Sequence, residues 1–269
     1  MLEIDAEQVS EVILNFIKEY TEKCGRKKVV VGLSGGIDSA LVAKLATMAL
    51  GEENVSTLFM PDVSTPLEDF EDSRLMAKEL GVGYKTIDLS PMIHSITNAC
   101  GEMDEVVLGN IKARLRMIFL YQAANSRGAL VCGTSNKTEI LLGYYTKYGD
   151  GGSDFMPLGD LYKTQVYMLA RYLQLPEKII EKNPTAGLWK GQTDEKEIGL
   201  PYEKVDIILY GIERKMDRGR IAEMAGVEQK DVDRIYSMVE KNEHKRRFPP
   251  IPKIGFRTVG IDWRFPLKL

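Results

Sequence analysis

The chain has 269 residues, a formal net charge of −3 and three cysteines. That length suffices for a sizeable core in one large α/β domain or two small ones, and the slight acidity argues against a general nucleic-acid binder. No apolar run approaches the roughly 20 residues that cross a bilayer, the acidic N-terminus lacks a signal pattern, and Cys24, Cys100 and Cys132 form no Cys-x-x-Cys pair or metal spacing, so a soluble, cytoplasmic protein with no membrane partner is expected.

In chain order, Val9, Val12, Ile13, Phe16, Ile17 and Tyr20 recur at helical spacing and predict an amphipathic helix packed on a sheet. Strand and helix patterns then alternate: a strand from Val29 to Leu33, a helix from Ser39 to Leu50, a strand from Val55 to Met60, a helix from Leu67 to Leu80, and a short strand near Tyr84 to Ile87. This is the rhythm of a parallel sheet covered on both faces. After Pro91 come a short helix, a long one from about Val106 to Ser126, and the strand Ala129 to Cys132. The long helix is apolar on more than one side, so either a partner subunit covers its second side or packing within the chain does. Gly143 to Asp154 is too rich in glycine and tyrosine for a core element and reads as a functional loop. A helix from Thr164 to Leu173, a second loop from Asn183 to Tyr202, further helices to His244 and a tail with Pro249, Pro250 and Pro252 complete the chain. With no repeat or low-complexity linker, a single domain over 1–269 is expected, its core at about 25–175 and a helical subdomain with the tail at about 176–269.

The hexapeptide Ser34-Gly35-Gly36-Ile37-Asp38-Ser39 follows directly on the apolar run that ends Gly32-Leu33. Strand, glycine turn and helix start together suit a phosphate cradle, since adjacent glycines let backbone N–H groups approach phosphate oxygens at the positive end of a helix. The turn has no lysine, which excludes the Gly-x-x-x-x-Gly-Lys-Ser/Thr loop, and there is no Gly-x-Gly-x-x-Gly. Taken alone, the glycines could be a tight turn and Asp38 a helix cap. The later segment Asn136-Lys-Thr-Glu139 likewise reads as a capping box.

The hexapeptide resembles the Ser-Gly-Gly-x-Asp-Ser signature of the ATP pyrophosphatases, which cleave ATP between its α and β phosphates and adenylate a substrate oxygen. Gly133-Thr134-Ser-Asn-Lys-Thr-Glu139, Thr146-Lys-Tyr-Gly-Asp-Gly-Gly-Ser-Asp154, Asn110-Ile-Lys-Ala-Arg114, Lys163, Pro184-Thr185 and His244-Lys245-Arg246 closely resemble the NAD synthetase family over nearly the whole chain. The resemblance implies a Rossmann-like three-layer sandwich of the adenine nucleotide alpha hydrolase type, and a reaction in which deamido-NAD, ATP and ammonia give NAD, AMP and pyrophosphate through an adenylate. It further implies that Gly32, Leu33, the Ser34 to Ser39 turn, Thr134, Lys163 and Thr185 bind ATP, and that Asp38 and Glu139 hold Mg²⁺. Asp38, Glu139 and Lys163 would be catalytic, and Arg114, Lys147, Asp154, His244 and Lys245 would contact deamido-NAD in a homodimer with the substrate at its interface.

Several alternatives stay open from the residues themselves. Arg114, at the border of an apolar helix face, could pair with an internal carboxylate instead of a phosphate. His244 in a basic run could be a solvated helix end. Only one predicted helix precedes the first strand, where glutamine-using members of the family carry an amidohydrolase domain, so ammonia is the expected direct donor. Asp150 or Asp154 could take the proton that ammonium must lose. Competing readings are a tRNA-modifying ATP pyrophosphatase and a non-catalytic nucleotide-binding regulator.

Overall fold

A strand covered on both faces must bury every side chain, and β1 (Val29–Gly32) does so by alternation: Val29 and Val31 enter one core and Val30 the other. The computed structural model describes residues 2–189 and 191–260. Met1, Lys190 and 261–269, which the expected domain bounds include, lie outside the described residues. β1 pairs in parallel with β2 (Val55–Phe59), and β2 with β3 (Gly83–Thr86), while β4 (Leu130–Cys132) pairs in parallel on the other side of β1, for a strand order β3-β2-β1-β4. The chain therefore steps outward from β1 and then returns past it. Strand order reverses between β1 and β4, which is where an open parallel sheet leaves a crevice at the carboxyl ends of its strands.

One face of the sheet carries α1 (Ala6–Lys23), α2 (Ile37–Leu50), α3 (Leu67–Leu80) and, from later in the chain, α7 (Lys163–Tyr172) and α8 (Glu177–Ile180). The other carries α4 (Ser90–Cys100) and α5 (Glu105–Arg127). α2 is apolar all round, with Leu41, Val42, Leu45 and Ala46 fully buried, because it lies between the sheet and the outer helices α1 and α7. It starts at Ile37, two residues before the predicted Ser39, since Gly36 in extended conformation ends the turn. Asp38 and Ser39 thus belong to its first turn.

A second core joins α6 (Lys137–Leu142) to α9 (Asp194–Ile198), α10 (Tyr202–Glu213), α11 (Arg218–Ala225) and α12 (Gln229–Lys241) through Leu142, Ile198, Ile208, Ile221 and Ile235, and α13 (Glu243–Arg246) follows. α9 lies within the stretch read as a loop. It is five residues long, with Asp194, Glu195 and Glu197 at its positive end and left-handed Gly199 closing it, too short for a period to show in the sequence.

α5 buries Gly109, Ala113, Ala123 and Ala124 against its neighbours and leaves Ile118 53% exposed. Packing among the described residues does not cover that side of the helix. Leu41→Ala in the doubly covered α2 should cost about 2–5 kcal/mol in urea denaturation, whereas Val63→Ala at a 92% exposed position should stay within about 0.5 kcal/mol.

Candidate active site

The first N–H groups of an α-helix have no partner inside it. α2 begins at Ile37; the N–H of its cap residue Gly36 donates to Ser34 Oγ at 3.3 Å, no side chain caps the donors after it, and this helix start faces a cleft of about 410 Å³. The serine hydroxyls instead close the turn on itself: Ser39 Oγ donates to Gly36 O at 2.9 Å and lies 3.0 Å from Ser34 Oγ, and Ser34 N–H donates to Ser39 Oγ at 3.1 Å. Gly35 has φ +85°, and a Cβ there would lie 2.7 Å from the Asp69 carbonyl oxygen, so only glycine lets the turn seat on α3. The result is an uncapped helix start ready for an anion.

Across the cleft, at the end of β4, Asn136 caps α6. Its Oδ1 accepts the Glu139 N–H at 3.0 Å, while the Asn136 N–H donates to Glu139 Oε2 at 3.2 Å, so the capping box is formed. The Glu139 side chain lines the cleft as well. Asp38 receives the Lys163 ammonium on Oδ2 and the Asn136 amide on Oδ1, the latter at 2.9 Å. Burial, and then the negative charge of Asp38, hold the Glu139 carboxyl well above its usual range against the pull of Lys163. Burial alone would depress Lys163, but Asp38 and then Glu139 outweigh it and hold the ammonium above its ordinary value. Asp194 stands beside this group, with Oδ2 accepting from Tyr202 OH at 2.9 Å and Tyr144 as a further neighbour.

Every expected nucleotide contact except Gly35 lines the cleft: Gly32, Leu33, Ser34, Gly36 to Ser39, Thr134, Lys163 and Thr185. Among the described residues no three histidine, cysteine or acidic side chains form a metal cage. Two carboxylates are enough for Mg²⁺, which keeps waters and takes its other oxygens from phosphates. Asp38 and Glu139 fit that ion chemically, since they already draw one cation, Lys163, toward themselves.

The second expected set divides. Lys147 Nζ donates to His244 O at 2.8 Å, and Lys245 Nζ to Gly143 O at 2.6 Å and Tyr145 O at 2.8 Å, so α13 and the 143–154 loop meet across a hundred residues. Lys245 lines the cleft, and Arg114, Lys147, Asp154 and His244 do not. Arg114 is exposed, one turn before Ile118 on the open side of α5. Asp154 serves the fold: its Oδ2 accepts the Val131 N–H at 2.7 Å and its Oδ1 the Tyr121 hydroxyl at 3.3 Å. By contrast Asp150 lines the cleft, with Oδ1 accepting the Thr146 N–H at 2.9 Å.

Lys182, Asp194 and Arg116 are among the cleft residues that carried no expectation from the sequence. Lys182, paired with Asp69 at 2.6 Å and Asp72 at 2.8 Å, lines the cleft just ahead of Pro184-Thr185, and that adjacency was the available signal. Asp194 sat in the segment read as loop, and Arg116, which reaches Asp62 Oδ2 at 3.3 Å, two residues beyond Arg114. Neither carried a local mark.

A model of the NAD synthase family matches residues 9–249. The chain belongs to the NAD synthase family. A relative from Methanosarcina acetivorans, an NH₃-dependent NAD⁺ synthetase, is 47% identical over 255 residues, covering 93% of this chain and 100% of that one. An NH₃-dependent NAD synthetase structure from Campylobacter jejuni, 33% identical, superposes with a TM-score of 0.79 over 93% of this chain and 100% of the other. An NMN synthetase from Francisella tularensis, also 33% identical, reaches 0.84 over 94% and 100%. The parallel sheet with helices on both faces is thus the Rossmann-like sandwich of the NAD synthase family.

Glutamine satisfies a capping box as glutamate does, so Glu139→Gln separates the two uses of that side chain. A carboxyl whose folded pKa is raised loses stability as pH rises from its unfolded to its folded value. The metal-free Glu139→Gln protein should therefore melt at or above the parent temperature at pH 8, with the difference shrinking toward pH 4, while metal-dependent ATP cleavage is lost. Metal-dependent cleavage kept in Glu139→Gln, with the melting temperature unchanged, would reduce Glu139 to a cap.

Proposed function

We propose that the chain amidates deamido-NAD with ammonia at the expense of ATP, giving NAD, AMP and pyrophosphate through an NAD-adenylate. The observation that carries this reading is the crevice between β1 and β4, where an uncapped helix start faces the Asp38, Lys163 and Glu139 group. Family membership and the names of the relatives support the same reaction.

A carboxylate is a poor electrophile because its leaving group would be oxide. In the first step a nicotinate oxygen attacks the α-phosphorus, the bond to the bridging oxygen of the β-phosphate breaks, and pyrophosphate leaves with that electron pair. The N–H groups of α2 would hold phosphate oxygens, Thr134 offers a hydroxyl from the loop after β4, Thr185 lines the same cleft with its hydroxyl donated to Gln192 O at 2.8 Å, and Lys163 brings a fixed positive charge. Asp38 and Glu139 would hold Mg²⁺, which offsets charge on the departing pyrophosphate. The ammonia lone pair then attacks the adenylate carbonyl and AMP departs with the C–O pair. Asp150, open to the cleft, is better placed than the engaged Asp154 to accept the proton the new amide must lose.

The reading assigns Arg114, Lys147, Asp154, His244 and Lys245 to deamido-NAD and the exposed apolar side of α5 to a second copy of the chain, in a cytoplasmic homodimer without nucleic acid. A second reading, amidation of the mononucleotide alone, draws on the Francisella structure, and kcat/KM with each acid separates the two.

AMP and pyrophosphate should appear only when deamido-NAD or its mononucleotide is supplied; steady ADP release, or nucleotide binding with no cleavage at all, overturns the reading. Asp38→Ala should lower turnover at least 100-fold. Ile118→Glu should give a folded monomer in sedimentation whose affinity for deamido-NAD drops more than tenfold while ATP binding changes little. A monomer that keeps its deamido-NAD affinity would refute the shared site.

A further inference from the structure

Asp38 and Glu139 stand on two helices that start from different strands, and nothing in either turn alone sets the distance between them. One residue reaches both. Asn136 is fully buried. Its Nδ2 donates to Asp38 Oδ1 at 2.9 Å, its Oδ1 accepts the Glu139 N–H at 3.0 Å, and its own N–H donates to Glu139 Oε2 at 3.2 Å. Serine, threonine and aspartate cap a helix about as well as asparagine. None of them adds an amide donor that reaches a carboxylate on a facing helix. The cap accounts for Oδ1 and leaves Nδ2 to be explained.

We propose that Asn136 is a positioning residue that fixes the Asp38 and Glu139 carboxylates relative to one another so that they take a divalent cation as a pair. Asp38 has a competing partner in Lys163 on its other oxygen. Without the amide on Oδ1, the carboxylate is free to turn wholly toward that ammonium and away from Glu139. Mg²⁺ demands near-ideal geometry from its ligands, and partners that orient metal-binding carboxylates are worth 10- to 100-fold in affinity. The proposal rests on the reading that Asp38 and Glu139 are the metal-holding pair.

Asn136→Ser keeps an acceptor at the cap and is too short to reach Asp38. With Mn²⁺ as the probe and the α,β-methylene analogue of ATP present, free Mn²⁺ measured by electron paramagnetic resonance should show about tenfold or greater loss of Mn²⁺ affinity in the full-length variant. Its melting temperature should stay close to the parent's, and its affinity for the metal-free analogue should change less than about twofold. Asn136→Thr, which fills more of the space, repeats the measurement if the serine variant is unstable. Parent protein and Asp38→Ala are run beside them. If the parent holds no Mn²⁺, or Asp38→Ala holds it as tightly as the parent, the metal reading itself fails. If the parent binds, Asp38→Ala does not, and the Asn136 variants bind like the parent, the positioning role alone is overturned. Loss of folding in both Asn136 variants assigns the residue to the fold and overturns the proposal as well.

Discussion

The candidate site is organised around one buried cation. Lys163 occupies the first position of α7 with its side chain almost wholly enclosed, at the end of a helix whose partial charge is already positive. Taking an ammonium out of water costs several kcal/mol, and only a well-placed anion offsets it. Asp38 supplies that anion from the first turn of α2, and Glu139 reinforces it from the first turn of α6. Three chain segments far apart in sequence are thereby forced to start their helices around one point. Without ligand, the carboxylates and the lysine balance one another. Under the proposed function, a polyphosphate entering the same space would bring negative charge to Lys163 and to the α2 N-terminus and so free the carboxylates for a cation.

The helical second core is tied into this arrangement by Asp206, a fully buried residue of α10. Its Oδ1 accepts the Thr138 hydroxyl at 2.5 Å and its Oδ2 the Thr164 N–H at 2.8 Å, while Thr138 Oγ1 accepts the Lys163 N–H at 2.9 Å. One carboxylate therefore sets the starts of both α6 and α7. Its burial pushes the carboxyl above its usual range, and the hydrogen bonds from Thr138 and Thr164 oppose that shift. The C-terminal helices thus contribute to the cleft a constraint as direct as the turns that line it.

What could be read from the sequence was what depends on neighbours in the chain. The Ser34 to Ser39 turn was legible as a strand-to-helix turn because strand, glycines and helix start are contiguous, and α3 was legible to the residue because an apolar period ran between clear stops. Glu139 shows the limit of local reading: its capping box and its place in the cleft are both real, and the sequence presents them as rivals. Asn136 could be seen only as a cap, because the carboxylate its amide binds lies 98 residues away. The same reason hid Asp206. Asp154 carried an acidic loop motif, yet in the fold it secures β4: its carboxylate accepts the Val131 N–H and its own N–H donates to Val131 O at 2.9 Å.

That strand also bears on how the second nucleotide would be held. Tyr20 donates its hydroxyl to Asp154 O at 3.0 Å, Tyr121 bonds the Asp154 carboxylate, and Phe16 and Tyr20 stack about Phe155, with ring centroids 6.0 Å and 5.1 Å away. α1 and α5 therefore meet at the end of the 143–154 loop. Phe16 is 41% exposed there and Ile118 53%, with Arg114 one turn away on α5. A cation set beside uncovered apolar side chains is a poor arrangement for a free surface and a good one for a surface that is covered while an anion sits at its border. The residues proposed for ATP, by contrast, line a cleft within one chain. If the proposed homodimer forms, this split is a physical reason for ATP affinity to survive its dissociation and for dinucleotide affinity to depend on the contact between copies.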